Sequence, residues 1–342
     1  MVREITNNIN YATISVKVIE MKRLNNMNKR KVILDCDPGH DDAVAILLAG
    51  SNPKIELLGI TVECGNQTLL KTGKNALNLV QYLEIDVPVC LGSPEPIIKE
   101  TEICPAIHGE SGLDGFDFPP LSIKFDPRHA VTYMIETIMN SLEKITVVTT
   151  GPMTNLALAM KLEPRIKDHI EEIVLMGGSF TSGNVTPAAE FNIQCDPEAA
   201  YIVFTSGCTV KMFGLDVTRQ VLVLPQIVSR MEKINNKASI LFTKLMKFFN
   251  ASQKRVFGFE GGPLHDPVTI AYLIDPTVVT LTHVHCDIDI SHATSYGRTN
   301  CDIFDYLKLP KNAYVATAID INKYWDIIES GIRQHGVSRV KE

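Results

Sequence analysis

From residue 31 onwards, short apolar runs alternate with amphipathic stretches, and this alternation constrains the fold more than any other feature of the chain. The apolar runs, which favour strands, span 31–35, 55–62, 87–90, 145–149, 172–176 and 209–213. The amphipathic stretches, which have helical spacing, span 41–49, 68–83, 127–142, 153–161, 197–206 and 224–234. Strands that alternate with helices form parallel sheets covered on both faces. The pattern therefore predicts an α/β fold with an open, mostly parallel, twisted sheet.

The remaining third of the chain continues without a visible boundary. It predicts a long helix at 237–257, a helix entered at 265–267, small extra strands within 279–302, a strand at 313–318 and a final helix at 321–334. The sequence contains no internal repeat and no linker rich in Pro, Gly or Ser. We therefore expect one domain over residues 29–342, preceded by an N-terminal extension, residues 1–28, that lies outside it.

Composition argues against several classes of partner. The net charge is −6 and the longest basic run is 29–31, so no nucleic-acid surface is expected. The longest apolar run, 43–50, is far shorter than the roughly 18 residues of a membrane helix, and no secretory signal is visible. The eight cysteines, at 36, 64, 90, 104, 195, 208, 286 and 301, lack metal or dithiol spacing. We expect a cytoplasmic protein with reduced thiols and with small-molecule or protein partners.

Unusual polar residues follow the predicted strands at the points where these strands end. The segments concerned are 35–42, 63–66, 149–151, 177–192 and 214–216. In an open parallel sheet these turns all lie at the carboxyl ends of the strands, where such folds bind ligands. We therefore expect the five loops to converge on one crevice.

The segment DCDPGHDD, residues 35–42, concentrates four carboxylates in eight positions. Like charges this close repel one another, and each resists ionising beside an apolar core unless a cation or hydrogen-bond donors offset the cost. Oxygen ligands of this kind suit Ca²⁺ or Mg²⁺. The alternative is that Asp41 and Asp42 are ordinary acids at a helix start and that Asp35 is a turn residue.

Residues 190–192 follow a loop of small and polar residues and allow two interpretations. If this segment is extended, Glu190 and Asn192 point to one side and, together with Asn184, form a clamp for sugar hydroxyls. A solvated loop explains the same residues equally well.

The pair His265-Asp266 precedes a proline and an apolar helix, so Asp266 has the position of an N-cap. The same pair could instead complete a metal site and provide a proton donor. The local sequence leaves both interpretations open. His108 lies in a long loop after the third strand, and loops of this length without regular structure are usually functional or disordered.

The other histidines carry weaker signals. His283, His285 and Asp287 alternate along a segment that is better explained as a half-exposed strand than as a metal site. His129 and His169 fit the exposed surface of helices. We assign none of them to a site.

Seven motifs, in order along the chain, resemble one known family, the inosine-uridine nucleoside hydrolases. They are DCDPGHDD at 35–42, GNQT at 65–68, HGESGLDG at 108–115, TTGPMTN at 149–155, EIVLMGG at 172–178, PAAEFNIQCDPEAA at 187–200 and GGPLHDP at 261–267. The resemblance covers about residues 31–334 and is most specific at DCDPGHDD. It implies a single-domain nucleoside hydrolase fold and Ca²⁺-dependent hydrolysis of the N-glycosidic bond of ribonucleosides, which gives ribose and free base.

The resemblance also implies roles for individual residues. The calcium ligands would be the carboxylates of Asp37, Asp42 and Asp266 and the main-chain carbonyl of Thr150. Asp37 would also act as general base on a bound water, and His265 would be the general acid for the leaving base. The residues that would hold the ribose are Asp41, Asn66, Asn184, Glu190 and Asn192. His108 would contact the base, and Asp35 would support the site structurally.

Base preference depends on fewer residues. Gln253 and Phe257 fall where pyrimidine-preferring, bacterial-type members of the family carry Gln followed by Tyr. The resemblance therefore implies a preference for uridine and cytidine, although Phe257 lacks the phenolic donor of a tyrosine. It also implies a homo-oligomer, either a tetramer or a dimer.

Two other functions compete with this interpretation. A strand followed by D-x-D is also the signature of haloacid-dehalogenase-like phosphatases, but Gly39 stands where that family carries Thr or Val. A calcium-dependent protein that binds nucleosides or ribose without turnover would lack a general base or acid, whereas Asp37 and His265 are both present. The hydrolase is therefore the favoured prediction.

Overall fold

The computed structural model describes residues 29–335, and β-strands form its centre. The strands are β1 (Arg30–Cys36), β2 (Ile55–Val62), β3 (Val89–Leu91), β4 (Ile145–Thr149), β5 (Ile170–Met176), β6 (Val210–Phe213), β7 (Val279–Val284), β8 (Cys286–Ile288), β9 (Thr299–Cys301) and β10 (Ala313–Ile319). The main sheet has eight strands in the order β3-β2-β1-β4-β5-β6-β10-β7, and β8 pairs with β9 separately. Only β10 and β7 are antiparallel neighbours in the main sheet, as far as the described residues extend. The predicted open, mostly parallel sheet is confirmed.

Helices connect these strands. They are α1 (His40–Ser51), α2 (Leu69–Leu83), α3 (Pro105–His108), α4 (Ala130–Asn140), α5 (Thr154–Leu162), α6 (Ile166–His169), α7 (Phe191–Cys195), α8 (Pro197–Phe204), α9 (Leu215–Thr218), α10 (Pro225–Glu232), α11 (Lys237–Phe257), α12 (Pro267–Ile274) and α13 (Ile321–Gln334), with a 3₁₀ turn at Pro276–Val278. Within the described part of the chain, every helix is too short or too polar to cross a lipid bilayer.

The side chains of β1 explain why both faces of the sheet are covered. Successive residues of a strand point to opposite faces. Val32 and Leu34 belong to a hydrophobic cluster that includes residues of α1, α2, α11, α12 and α13, whereas Ile33 belongs to a second cluster with residues of α4, α5 and α8. Burial of apolar surface on both faces therefore holds β1 in the middle of the molecule.

The order of the strands also determines where a ligand can bind. The chain proceeds from β1 outwards to β3 on one side and from β4 outwards to β6 on the other, so the direction of winding reverses between β1 and β4. A crevice opens at such a switch point, at the carboxyl ends of the strands. Residues 35–42 follow β1 and residues 149–151 follow β4, so both segments border it.

Several elements differ from the sequence-based expectation. The helix predicted at 127–142 spans only Ala130–Asn140, and the long loop after β3 contains the short helix α3. The strands expected within 279–302 divide between two sheets, because β7 joins the main sheet beside β10 while β8 and β9 form a hairpin. The predicted N-terminal extension, residues 1–28, lies outside the described residues.

Candidate active site

A cluster of buried carboxylates lies at the switch point. Oxygen atoms of Asp41, Asp42 and Asp266 all lie within 4.8 Å of one another, and the three side chains are at most 6% exposed. Asp41 and Asp42 belong to the first turn of α1, whereas Asp266 immediately precedes α12. Asp266 is the N-cap residue, as predicted, but its side chain makes no capping hydrogen bond. Its carboxylate is therefore free to join the cluster.

Asp37 lies beside this group, between two glycines. Its Oδ2 atom accepts a hydrogen bond from the Asn66 backbone N–H at 2.6 Å, while the buried Oδ1 atom has no partner within the described residues. A Cβ atom on Gly65 would lie 2.1 Å from Asp37 Oδ2, and one on Gly151 would lie 3.1 Å from Oδ1. A side chain at position 65 would therefore collide with this carboxylate, and one at position 151 would press against its other oxygen.

The electrostatics of the cluster favour a positive partner. Burial raises the pKa of Asp41 to about 7, and the Asp42 carboxylate adds to the rise. Burial and neighbouring carboxylates likewise raise the pKa values of Asp37 and Asp266. The donors that contact Asp42 are neutral, among them the Gly39 backbone N–H at 2.9 Å and the Thr150 hydroxyl at 2.7 Å. The donor set and the unpaired Asp37 oxygen therefore fit a hard divalent cation.

Asp35 is placed differently from the other acids of the motif. Its Oδ1 atom accepts hydrogen bonds from the Thr61 hydroxyl at 2.7 Å and from the Asn155 side-chain amide at 2.9 Å. These contacts join β1 to β2 and to the start of α5. They are consistent with the structural role that the sequence assigns to Asp35.

The segment 190–192 lines the same pocket, but neither of the two conformations considered from the sequence is observed. It is neither extended nor a solvated loop, because Glu190 is the N-cap of α7, Asn192 lies in its first turn, and both side chains are buried. Glu190 Oε2 accepts hydrogen bonds from the backbone N–H groups of Gly178 at 2.9 Å and Ile193 at 3.2 Å. Capping these donors fixes Glu190 at the pocket wall, and burial raises the pKa of its carboxyl group.

Hydrogen bonds hold three of the predicted ribose-binding residues in place, and one of these bonds reaches the acidic cluster. The Asn66 side-chain amide donates to Asp42 Oδ2 at 3.2 Å. The Asn192 amide donates to the Thr150 carbonyl oxygen at 2.9 Å, so the Thr150 carbonyl oxygen, a predicted metal ligand, already has one hydrogen-bond partner. Asn184 Oδ1 accepts from the Phe191 backbone N–H at 2.9 Å, which holds the loop after β5 against α7. The pocket is lined by Asn66, Thr150, Asn184 and Asn192 together with Asp41, Glu190, His265 and Asp266, whereas Asp37 and Asp42 are not among its lining residues.

Comparison with known proteins identifies the family of this chain. Residues 32–326 match the family described as inosine-uridine preferring nucleoside hydrolase. The chain belongs to this family. It is therefore a nucleoside hydrolase, an enzyme that uses water to split the N-glycosidic bond of nucleosides, and the phosphatase and the binding protein without turnover are set aside.

Relatives of this nucleoside hydrolase are named for different base preferences. The pyrimidine-specific ribonucleoside hydrolase RihB of Escherichia coli K12 is 48% identical over 307 residues, which cover 90% of this chain and 98% of RihB. The structure of a purine-preferring ribonucleoside hydrolase from Gardnerella vaginalis superposes with a TM-score of 0.82 and 35% identity, over 89% of this chain and 99% of that one. A plant nucleoside hydrolase superposes with the same TM-score of 0.82 and 30% identity, over 89% of this chain and 99% of that one.

The residues predicted to contact the base line the same pocket. His108, Gln253 and Phe257 all line it. Gln253 is buried, and its amide oxygen has no hydrogen-bond partner within the described residues. Phe257 is 47% exposed, and its ring stacks on Phe259 with the ring centroids 5.6 Å apart. The pocket thus combines polar side chains with aromatic ones.

Two histidines at this site have lowered pKa values. Burial lowers the pKa of His265 to about 3, and the positive charge of Arg219 adds to the decrease. Burial lowers the pKa of His108 well below its usual value, and the nearby rings of His40 and His265 lower it further. His108 Nδ1 lies 3.2 Å from His40 Nδ1, so the two rings form a buried pair.

Sequence reasoning missed several residues that shape this site. His40 lies inside the DCDPGHDD motif, which was a usable signal. The sequence also singled out the segment 214–216. Asp216, in α9, accepts a hydrogen bond from the Phe180 backbone N–H at 2.9 Å and so holds the loop that carries Asn184. Arg219 donates to the Gly183 carbonyl oxygen at 2.7 Å. Nothing in the sequence marked Arg219.

The histidines set aside in the sequence have other surroundings. His283 stacks on Tyr314 with the ring centroids 4.2 Å apart, and His285 Nε2 lies 2.9 Å from an Asp287 carboxylate oxygen. His129 is the N-cap of α4. None of the three lines the pocket.

Proposed function

We propose that this nucleoside hydrolase requires Ca²⁺ and prefers the pyrimidine ribonucleosides uridine and cytidine. The observation that carries the proposal is one pocket lined by two acids of the buried cluster, Asp41 and Asp266, and by Gln253, whose buried amide oxygen has no partner within the described residues. The first feature accounts for a cation, and the second accounts for recognition of a polar base edge.

Asp42, Asp266 and Asp37 are the proposed metal ligands, with the Thr150 carbonyl oxygen as a fourth. Asp42 and Asp266 belong to the compact group of carboxylates, and Asp37 contributes the buried oxygen that lacks a partner within the described residues. Ca²⁺ accepts six to eight oxygen ligands in flexible geometry, which leaves positions for ribose hydroxyls and water. A bound cation would neutralise the cluster and lower the pKa of its water.

The side chains of the pocket divide the remaining work of the reaction. Asn66 anchors Asp37 Oδ2 at 2.6 Å, so Oδ1 is oriented to take a proton from the attacking water. Cleavage of a glycosidic bond develops positive charge on the ribose ring, and the oxygens of Glu190 and Asn192 stabilise it better than they stabilise the neutral substrate. Asp41, Asn66 and Asn184 are proposed to hold the ribose hydroxyls, and His265 to donate hydrogen to the departing base.

The base preference is proposed from Gln253 and from a close relative. A glutamine amide offers both a donor and an acceptor, which complements the adjacent carbonyl and N–H groups on the edge of uracil. A buried amide oxygen without a partner is costly, so the pocket favours a base that supplies a donor. Hypoxanthine also supplies one, so Gln253 supports recognition of a polar base edge, and the choice of pyrimidine over purine is proposed from the relative. The name of RihB, which is 48% identical, supports the same preference. Phe257 and His108 would contact the faces or edges of the base.

The proposal is tested by measuring reducing sugar released from uridine, cytidine and inosine, with and without a calcium chelator. We expect uridine and cytidine to react faster than inosine, and chelation to abolish all three reactions until Ca²⁺ is restored. Unchanged turnover after chelation would contradict the metal requirement, and faster inosine hydrolysis would contradict the base preference.

Variants of Gln253 locate the preference within the pocket. Gln253→Met keeps the shape but removes the amide, so kcat/KM for uridine should fall by about 10- to 100-fold, the effect of one lost buried hydrogen-bonding group. Inosine should be affected less. The control is Lys247→Met, which places the same side chain at an exposed position of the same helix and should leave both rates unchanged. Equal losses for both substrates in Gln253→Met would indicate a structural defect.

Assembly and location stay predictions. The segment after β9 exposes Phe304 by 75%, Tyr306 by 80% and Leu307 by 61%, which supports a homo-oligomer, because exposed apolar patches often mark protein interfaces. Light scattering should give a multiple of the 37.9 kDa chain. The free state of the eight cysteines is consistent with a cytoplasmic location.

A further inference from the structure

We propose that Thr218 is a positioning residue that keeps a hydrogen atom on the pocket-facing Nε2 of His265. The inference rests on the proposed role of His265 as the donor to the departing base. It adds a residue outside the pocket lining whose hydroxyl decides what His265 presents to the substrate.

The contact that carries the inference is short and buried. Thr218 Oγ1 lies 2.7 Å from His265 Nδ1. Thr218 ends α9 and is 0% exposed, whereas His265 lines the pocket. Since Nδ1 faces the threonine, Nε2 is the ring nitrogen that remains for a ligand.

The backbone fixes the distance between the two side chains. The Val223 N–H donates to the Gly262 carbonyl oxygen at 2.9 Å, and the Leu264 N–H donates to the Val221 carbonyl oxygen at 3.0 Å. These bonds join the chain just after Thr218 to the chain just before His265. The Tyr324 hydroxyl adds a hydrogen bond to the Leu264 carbonyl oxygen at 3.0 Å. The imidazole is therefore held against the hydroxyl by a rigid frame.

A hydroxyl differs from other common partners of histidine because it can both donate and accept. Thr218 is fully buried and its hydroxyl makes no other hydrogen bond within the described residues. Beside a neutral ring the hydroxyl therefore directs its hydrogen to Nδ1, and the single ring hydrogen resides on Nε2. Beside a doubly protonated ring, the hydroxyl turns and accepts from Nδ1, and Nε2 again carries a hydrogen. A backbone carbonyl can only accept, so it would favour hydrogen on Nδ1 and leave Nε2 of the neutral ring bare.

This arrangement matches the need of the departing base. With its hydrogen on Nε2, the ring donates a hydrogen bond to an acceptor atom on the base, such as a pyrimidine carbonyl oxygen. Nδ1 accepts from the Thr218 hydroxyl at the same time, so the ring is held in the orientation that presents Nε2 to the base.

The test compares Thr218→Val, which keeps the shape but lacks the hydroxyl, with Thr218→Ser, which keeps the hydroxyl. Both are assayed with uridine and with p-nitrophenyl β-D-ribofuranoside, whose leaving group departs without protonation. We expect Thr218→Val to lower kcat for uridine by about 10- to 100-fold, the usual range for partners that orient a functional histidine, with little change in KM. The rate with the nitrophenyl riboside should fall much less, and Thr218→Ser should recover most of the uridine rate.

A second measurement reads the ring directly. In protein labelled with ¹⁵N-histidine, the wild-type His265 Nε2 should show the chemical shift of a nitrogen that carries hydrogen, and Thr218→Val should shift both ring nitrogens towards a mixture. Equal losses on both substrates, failure of Thr218→Ser to recover activity, or an unchanged tautomer would each overturn the inference.

A His265→Ala variant separates the inference from the proposed function. If His265→Ala retains the wild-type uridine rate, the proposed role of His265 itself is wrong. If His265→Ala loses uridine turnover while Thr218→Val does not, the role of His265 stands and only the inference about Thr218 fails.

Discussion

At the residue scale, His40 shows how the charged motif is packed. Its Nε2 atom lies 2.8 Å from the Asp114 carbonyl oxygen, which can only accept, so this nitrogen carries hydrogen. The ring stacks between Phe248 and Phe249, with centroid distances of 5.3 and 5.5 Å. Burial lowers the pKa of His40 to about 4. A neutral histidine is thus built into the core beside the carboxylates.

This burial makes stability depend on pH in a definite direction. Unfolded His40 takes up a proton near pH 6.5, whereas folded His40 does so only near pH 4, so the unfolded state binds more protons between these values. Stability should therefore fall as pH decreases through this window, by roughly 3 kcal/mol from this residue. Urea unfolding of the wild type and of His40→Gln between pH 7 and pH 4.5 measures the slope.

The comparison needs a control at an exposed histidine. His292 is 60% exposed and has φ of 57°, a conformation that asparagine tolerates, so His292→Asn is suitable. We expect a shallower slope in His40→Gln and the wild-type slope in His292→Asn. Identical slopes in all three proteins would show that other groups dominate the pH dependence.

Single residues also show what the sequence could and could not predict. Asp37 and Asp42 were placed at the crevice because strand ends in a parallel sheet converge, and the motif made them conspicuous. Asp266 was joined to them only through the resemblance to the family. That Asp41 is the third member of the compact group could not be predicted, because the direction of a side chain at a helix start depends on tertiary contacts. Thr218 was unpredictable for the same reason, since its partner lies 47 residues away.

At the element scale, the β8–β9 hairpin brings two cysteines together. Cys286 and Cys301 are direct register partners, and their sulfur atoms lie 3.3 Å apart. In the next pair along the hairpin, the Asp302 N–H donates to the His285 carbonyl oxygen at 2.8 Å. Hydrogen-bonded and non-hydrogen-bonded pairs alternate in an antiparallel ladder, so the two cysteines form a non-hydrogen-bonded pair, in which the side chains lie closer together. Their 15-residue separation concealed this pair in the sequence.

We expect glutathione disulfide to join these two thiols. Cys301, which is partly exposed, attacks the oxidant and releases one glutathione, and Cys286 then displaces the second, so two hydrogens leave the protein. Peptide mapping should find a crosslink between residues 286 and 301. Closing a loop of this length should stabilise the fold by about 3 kcal/mol, visible as a higher thermal midpoint.

Cys301→Ser is the control for this oxidation and should show neither the crosslink nor the higher midpoint. A stable glutathione adduct on Cys301 with Cys286 still reduced would argue against the pairing.

The hairpin also marks where sequence patterns fail at this scale. The long strands of the sheet were predicted because apolar runs such as Val32–Leu34 are buried on both faces. The strands β8 and β9 have three residues each, too few for a clear period of two. Their pairing, and the antiparallel position of β7 beside β10, depend on tertiary contacts that no local pattern records.

At the scale of the whole molecule, the acidic cluster opposes folding until a cation binds. Its members come from the segment after β1 and from the start of α12, so the fold itself brings the like charges together. A ligand that binds only the folded state stabilises it by mass action. Metal affinity and global stability are therefore linked in this hydrolase.

We expect Ca²⁺ to raise the thermal midpoint of the chelator-treated enzyme. At a hundredfold excess of Ca²⁺ over its Kd, the free energy of unfolding should increase by about 2.7 kcal/mol. Asp42→Asn should lose this increment, because it removes a ligand, and should melt no lower than the wild type without calcium, because it also removes a repelling charge. Thermal scans with and without Ca²⁺ measure both effects. The control is Asp117→Asn, at an exposed position, which should keep the full stabilisation by Ca²⁺. Loss of this stabilisation in the control would contradict a specific calcium site.

The glycines that flank Asp37 determine which positions of this enzyme can be varied in laboratory evolution. Gly65 and Gly151 bear no reactive group, yet a single added carbon would meet the Asp37 carboxylate at 2.1 and 3.1 Å. In a saturation library, alanine at position 65 should therefore be as damaging as loss of Asp37 itself. Substrate range is better diversified at the opposite wall, where Phe257 and Phe259 border solvent and leave room for exchange.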